Sequence, residues 1–207
     1  MQPKFFQRHP ILKDVSSLVI FIAAVAIGTI ILNSFVFRSY NVIGSSMENT
    51  LHQNDRIIVN RLPVTIAHFW GQEYIPARGQ VIVFANGAAS GPLTCDVQSN
   101  SHDQYIIKRT IAFPGERVTV KDGILTVYND DSPDGFHPDD DFHGEPKAYS
   151  SGDVDVVVPE GEIFVSGDNR EGSHSYDSRN GLGTVPLCRI IGPASLRIYP
   201  FNQLRFF

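Results

Sequence analysis

Cysteine is scarce in this chain. There are two, Cys95 and Cys188, far apart and in no CxxC pair. That excludes a zinc ribbon and a thioredoxin-type redox site. A single disulfide between them is permitted, but nothing in the sequence demands it. Also missing are the GxSxG turn of many hydrolases, the HExxH pair of zinc proteases and the glycine-rich phosphate loop. Basic residues are in the minority, 17 Lys and Arg against 22 Asp and Glu, for a net charge of −5. A general nucleic-acid binder is therefore not expected. The seven histidines are scattered, and none stands beside a carboxylate in a recognisable motif. A Ser-His-Asp triad assembles in space, so the sequence neither promotes one nor forbids it. No internal repeat is present.

Charge is absent from residues 15–37, VSSLVIFIAAVAIGTIILNSFVF. A bilayer core needs about 20 apolar residues in a helix, and this run supplies them. A buried core helix is the competing reading, but no polar face recurs at helical spacing. A cleaved secretory signal needs a shorter apolar run and a small-x-small exit; here the exit is Phe35-Val36-Phe37-Arg38. An uncleaved, single-pass signal anchor is expected. Lys4, Arg8 and Lys13 precede it and only Arg38 follows closely. The positive-inside rule then predicts a cytoplasmic tail over 1–14, a transmembrane segment over 15–37 and an extracytoplasmic domain over 38–207.

The whole chain is 42% hydrophobic, enough to fill a core. Short β-branched runs occur at 56–62, 80–84, 105–113, 117–120, 124–128, 154–158, 162–167 and 194–199. Gly, Pro and Asp turns separate them, and Asp122-Gly123 within VTVKDGILTV predicts a tight hairpin. Many short strands with few helical patterns predict a mainly β domain, a barrel or sandwich. Two stretches stand apart. Residues 86–103 are small and polar and read as a surface loop. Residues 129–153 are acidic and contain His137 and His143; the bland reading, a solvated loop and no metal site, is preferred.

What could do chemistry here? The stretch NVIGSSMENTL, 41–51, places two serines just past the apolar segment. Without an obvious histidine, a serine can use a lysine as its base, provided the lysine is neutral. An unperturbed lysine titrates near 10.4; burial lowers that and makes it a competent base near neutral pH. Of the five lysines, Lys4 and Lys13 fall in or beside the tail, Lys121 in a turn and Lys147 in the acidic stretch. Lys108 alone lies in an apolar strand, YIIKRTIAF. A lysine that packs its stem on a sheet and keeps its head in water has the same pattern, so placement alone leaves both readings open.

Four stretches in order decide the resemblance. GSSMENTL, GQVIVF, IIKRTIAFPGERV and SGDNREGSHSYDSRNGLGTVP together resemble the boxes of the type I signal peptidases, membrane-anchored serine proteases with a Ser/Lys dyad. The resemblance spans most of 15–195, apart from the two polar stretches. It implies a partly open all-β catalytic domain, Ser46 as nucleophile rather than Ser45, and Lys108 as general base. It further implies that Ser175 orients the lysine, and that Asp168, Arg170, Asp177 and Arg179 brace the site. Ser173 is the alternative orienting serine if the alignment is anchored on Arg170. Ile43, Met47, Ile106 and Ile107 are expected to line the substrate pockets, from their place beside the dyad. Departures are Asn49 for a usual Pro, Asn54-Asp55 for Gly-Asp, Gln80 for an acid, about two extra residues after Arg170, and Gly44 where some relatives carry a second oxyanion donor.

The resemblance also implies a reaction. Ser46 attacks the last residue of a signal peptide, which binds as an added strand with small side chains at positions −1 and −3, typically Ala-x-Ala. An acyl-enzyme forms and is hydrolysed, without metal or cofactor. The expected partners are signal peptides of exported preproteins and, through one helix, the bacterial cell membrane; a monomer is expected and nucleic acid is not. Ser46 follows Phe37 by nine residues, a tether of about 30 Å at full extension, which would hold the nucleophile near the outer membrane surface. Two rivals remain: a self-cleaving Ser/Lys protease, and an inactive membrane-tethered β domain that binds exported peptides. The acidic stretch would, on a further reading, tune substrate choice.

Overall fold

In a computed structural model of the chain, residues 10–86, 105–140, 149–172 and 174–207 are described. Helix α1, Pro10–Ile31, continues through a wider π-type turn, Leu32–Val36. Residues Asp14–Val36 form a helix long and apolar enough to cross a membrane. Its large apolar side chains are exposed, from Val15 to Phe35. A lone amphipathic helix would hide such a face on the domain; this one is apolar all round, and it meets the domain at its last turn, Leu32–Val36.

The rest is mainly β. Strands β1 (Phe37–Asn41), β2 (Arg56–Asn60), β3 (Val81–Ala85), β4 (Tyr105–Ala112), β9 (Glu162–Ser166), β10 (Val185–Pro186), β11 (Ile190–Tyr199) and β12 (Arg205–Phe206) form one sheet. Its order is β1-β2-β11-β3-β4-β9-β10, with β12 on β11. Strands β5 (Arg117–Lys121), β6 (Ile124–Asn129), β7 (Ser132–Phe136) and β8 (Val154–Val157) form a second sheet, ordered β7-β6-β5-β8. The β5–β6 hairpin turns at Asp122 and Gly123, with φ of 51° and 81°. Two positive φ values in succession are what a tight two-residue hairpin requires, and Asp-Gly tolerates them.

Three buried clusters hold the sheets. Val42, Met47, Leu51, Ile57, Val59, Val81, Val83 and Ala194 form the first. Ile82, Phe84, Ile163, Val165 and neighbours form the second. Ile111, Val118, Val120, Val127 and Phe164 knit the second sheet to the first. The β-branched runs read from the sequence are all strands. The two-residue strands β10 and β12 were not expected, nor were three larger features. Residues 37–41 pair as β1 although they follow the apolar run. Helix α2, Leu62–Phe69, carries Pro63 in its first turn and forms where the sequence reading ends a strand at Leu62 and places no element beyond it. The acidic stretch is not loop throughout: β7 pairs with β6, with Val127 opposite Phe136. Alternation is lost there because Pro133, Asp134 and Gly135 occupy an edge strand, where missing donors and exposed charge are tolerated.

Candidate active site

The turn that carries Ser46 is built around two buried anchors. Met47 and Leu51 are 1% and 0% exposed in the first core cluster. Between them the backbone closes on itself, with Leu51 N–H donating to the Met47 carbonyl at 2.8 Å and Thr50 N–H at 2.9 Å. From the other side, Asn169 N–H donates to the Ser46 carbonyl at 3.0 Å. The Asn169 amide reaches the Ser45 carbonyl at 3.2 Å. Ser46 is thus fixed by the core below and by residues 167–170 above. Met47, expected in the pocket lining, packs in the first core cluster and is not among the residues lining the cleft beside Ser46. Met47 lies next to Ser46 in sequence, but it joins the cluster of Val42, Leu51 and Ile57, whereas Ser46 faces Lys108 and the cleft.

Lys108 comes from the middle of β4, opposite Ile82 of β3. Its residue is 3% exposed, and its Nζ lies 2.7 Å from Ser46 Oγ and 3.0 Å from the Ile107 carbonyl oxygen. Burial pulls its pKa down to about 8, against the nearby Asp177 and Asp168 carboxylates, which raise it; Arg179 lowers it further. The two residues are 62 positions apart and meet because the turn sits over the centre of the large sheet.

Three ion pairs surround them. Arg109 grips Asp168 through Nε and Nη2 at 2.7 and 2.5 Å, and also donates to the Gly79 carbonyl and to Thr50 Oγ1. One side chain thereby joins β4, the segment after β9 and the Ser46 turn. Arg179 and Asp177 form a fully buried pair at 2.8 Å. Burial works to raise the Asp177 carboxyl's pKa, but the Arg179 hydrogen bond and charge outweigh it, aided by Ser175 and the Gly167 N–H, and hold it below the usual carboxylate range. Arg170 donates to both oxygens of Asp139 at 2.6 Å and to the Gly167 carbonyl at 2.7 Å.

Ser175 is fully buried beside Gly167. Its hydroxyl makes no hydrogen bond of normal geometry, to Lys108 or any other described residue, and its influence reaches the Asp177 carboxylate. Ser173 lies outside the described residues. A cleft of about 590 Å³ opens onto the pair; it is lined by Ile43, Ile106, Ile107, Tyr40, His174 and Tyr176 among others.

Several of the sequence's departures have local explanations. Asn54 adopts φ 70°, the left-handed region that glycine favours and Asn tolerates. The Gln80 carboxamide oxygen accepts from Tyr74 Oη and the Ala77 N–H, a role a carboxylate would also fill. The Glu48–Asn49 bond, at the usual proline position, is cis. Gly44 N–H donates to Gln53 Oε1 at 2.5 Å.

Comparison with known proteins places this arrangement. The profile of the family described as signal peptidase, peptidase S26, matches residues 13–199. The chain belongs to the type I signal peptidases. It is 33% identical over 178 residues to signal peptidase I T of Bacillus subtilis, covering 85% of this chain and 81% of that one. It is 32% identical to a signal peptidase I of Bacillus amyloliquefaciens, covering 89% and 87%. It is 36% identical to the probable signal peptidase I-1 of Synechocystis, covering 84% and 77%. The peptidase is accordingly a serine hydrolase of the signal-peptide-cleaving family, and its N-terminal apolar helix fits a membrane anchor.

Sequence reasoning left three site residues without a role. Asn169 is inside a quoted box, yet only the structure shows it holding the Ser46 carbonyl. Thr50 is likewise inside the nucleophile box. Asp139 was hidden in a run of three aspartates; the signal available was an arginine, Arg170, destined for burial and lacking a counter-charge. His137 contacts Thr126 Oγ1 and the Leu125 carbonyl oxygen, each at 3.3 Å, and His143 lies outside the described residues. Cys188 is disulfide-bonded; Cys95, the chain's other cysteine, also lies outside them.

Proposed function

We propose that the peptidase cleaves exported preproteins after Ala-x-Ala-type sites, with Ser46 as nucleophile and neutral Lys108 as its base. The observation that carries this reading is the 2.7 Å approach of a buried lysine, its pKa about 8, to Ser46 Oγ. At that pKa a useful fraction is unprotonated near neutral pH. Lys108 Nζ takes the Ser46 proton as Oγ bonds to the scissile carbonyl carbon. The ammonium then returns the proton to the leaving amine as the C–N bond breaks. Water repeats the cycle on the acyl-enzyme, its proton passing to Lys108, and Ser46 is regenerated. The Ser46 N–H is one donor for the oxyanion. Asp168, Arg170, Asp177 and Arg179 brace this geometry, and Ser175 fills the space behind it.

The peptide lies in the 590 Å³ cleft as an added strand, with Ile43, Ile106 and Ile107 limiting side-chain size. The chain divides into a cytoplasmic tail, one spanning helix and an extracytoplasmic catalytic domain, and it acts as a monomer at the outer face. The test is cleavage of a preprotein whose signal peptide ends in Ala-x-Ala by detergent-solubilised wild type and Ser46→Ala. Wild type should cut after the second alanine, Ser46→Ala should not, and tryptophan at −1 should block cleavage. Undiminished cutting by Ser46→Ala rejects the assignment.

A further inference from the structure

Helix α2 is amphipathic in an unusual sense: its apolar face is turned outward. Val64 is its buried residue, packed in the second core cluster. Leu62, Ile66 and Phe69 are 42%, 48% and 81% exposed, and Trp70 at the helix end is 70% exposed. Spacing of i, i+4, i+7 and i+8 puts these four within about 100° of one another around the axis. Phe69 and Trp70 stand edge to face, ring centroids 5.4 Å apart. Such a face against water is unfavourable and marks a contact surface.

What covers it is indicated by where α2 begins. The end of a helix leaves carbonyls without partners. Here α1 and its π-type turn end at Val36, and α2 meets those carbonyls. The Arg61 guanidinium donates to the Ser34 carbonyl, and the Arg61 backbone N–H donates to that of Val36 at 2.7 Å. Thr65 Oγ1 donates to that of Phe35 at 2.9 Å. A 23-residue span is about 35 Å long and so just exceeds the hydrocarbon thickness. Its last carbonyls therefore lie at the membrane–water boundary, and α2 is bonded to them at that depth. Trp beside a membrane helix end belongs to the interfacial belt, and a helix with Trp, Phe and Leu on its apolar face lies in the interface plane.

We infer that α2 is an interfacial helix, with Leu62, Ile66, Phe69 and Trp70 seated in the lipid headgroup and upper acyl region beside the anchor. The occupant of this face is the bilayer itself, because the face is joined by three hydrogen bonds to the segment that enters it. β1 leaves the anchor toward the cleft and α2 holds the other side of the junction. Together they fix the height and tilt of the cleft over the membrane. The inference rests on the anchor reading, whichever way the chain is oriented.

Trp70 is the chain's single tryptophan and reports on this directly. The full chain is reconstituted into phosphatidylcholine–phosphatidylglycerol vesicles and floated on a density gradient. Failure to float overturns the anchor reading and the inference with it. In floated vesicles, Trp70 emission is expected at shorter wavelength than a water-exposed indole. It should be quenched by lipids brominated high on the acyl chain and shielded from iodide. Water-like emission, quenched by iodide and indifferent to brominated lipid, overturns the inference and leaves the anchor intact. An Ile66→Ser/Phe69→Ser double variant should cut a vesicle-embedded preprotein several-fold more slowly and a short soluble peptide at the wild-type rate. Equal loss on both substrates contradicts the interfacial role.

Discussion

Replacing Lys108 by methionine should abolish cleavage and, at neutral pH, make the protein more stable. The two side chains are similar in length, so the packing is kept and the charge removed. Burial brings the lysine from its ordinary 10.5 to about 8. At 1.36 kcal/mol per pH unit, keeping the ammonium charged inside the fold costs about 3 kcal/mol. The sign follows from proton counting. Between about pH 8 and 10.5 the unfolded chain holds the proton and the folded one does not, so wild-type stability rises with pH through that window. Below it the penalty is complete, and above it the penalty is gone. Methionine removes the penalty but also the contacts to Ser46 Oγ and the Ile107 carbonyl, worth about 1 kcal/mol together or somewhat more. The net gain at pH 7 is about 1–2 kcal/mol, or roughly 2–8 °C in Tm for a chain of this size. Thermal unfolding of both proteins in the same detergent, at pH 7 and at pH 10.5, measures it. The gain should be present at pH 7 and absent or reversed at pH 10.5. A variant less stable than wild type at pH 7, or a difference independent of pH, would refute the argument that burial dominates at Lys108.

Other sites give distinct expectations. Asp177→Asn leaves the fully buried Arg179 without its counter-charge and should cost about 3–5 kcal/mol in denaturant unfolding. It also removes the largest influence that raises the Lys108 pKa, so the pH midpoint of any residual cleavage should move down. Asp139→Ala should lower Tm by removing the paired carboxylate of buried Arg170, whereas exposed Asp134→Ala should change stability by less than about 0.5 kcal/mol. Equal effects in calorimetry would mean the acidic stretch is solvated throughout. Gly167→Ala places a methyl against Ser175 Oγ and the Ser46 carbonyl oxygen. It should slow cleavage by orders of magnitude while far-ultraviolet circular dichroism stays unchanged.

The legible part of this protein was the part written in local pattern. An uncharged apolar run, β-branched segments and an Asp-Gly hairpin each carry their own structural instruction. The site was legible only as four short boxes in order, since no spacing rule links Ser46 to a lysine 62 residues on. What stayed hidden depends on long-range contact. Met47 shares the sequence neighbourhood of Ser46, yet its side chain is drawn into the core by Val42, Leu51 and Ile57. Asp139 resembles its neighbours until Arg170 selects it. Helix α2 has three β-branched residues in eight and Pro63 in its first turn; it exists because Val64 finds the core and because Arg61 and Thr65 find the end of the apolar helix.

The central claim is that a neutral Lys108 activates Ser46. It is tested most directly by the cleavage rate of an Ala-x-Ala preprotein from pH 6 to 10, for wild type and Lys108→Ala. The account predicts a wild-type rate that climbs with pH to a plateau, with a midpoint near 8, where the folded lysine loses its proton. Lys108→Ala should be slower by a factor of about 10²–10⁴ across the range. A wild-type rate that is flat over this range, or a Lys108→Ala rate equal to it, would contradict the claim.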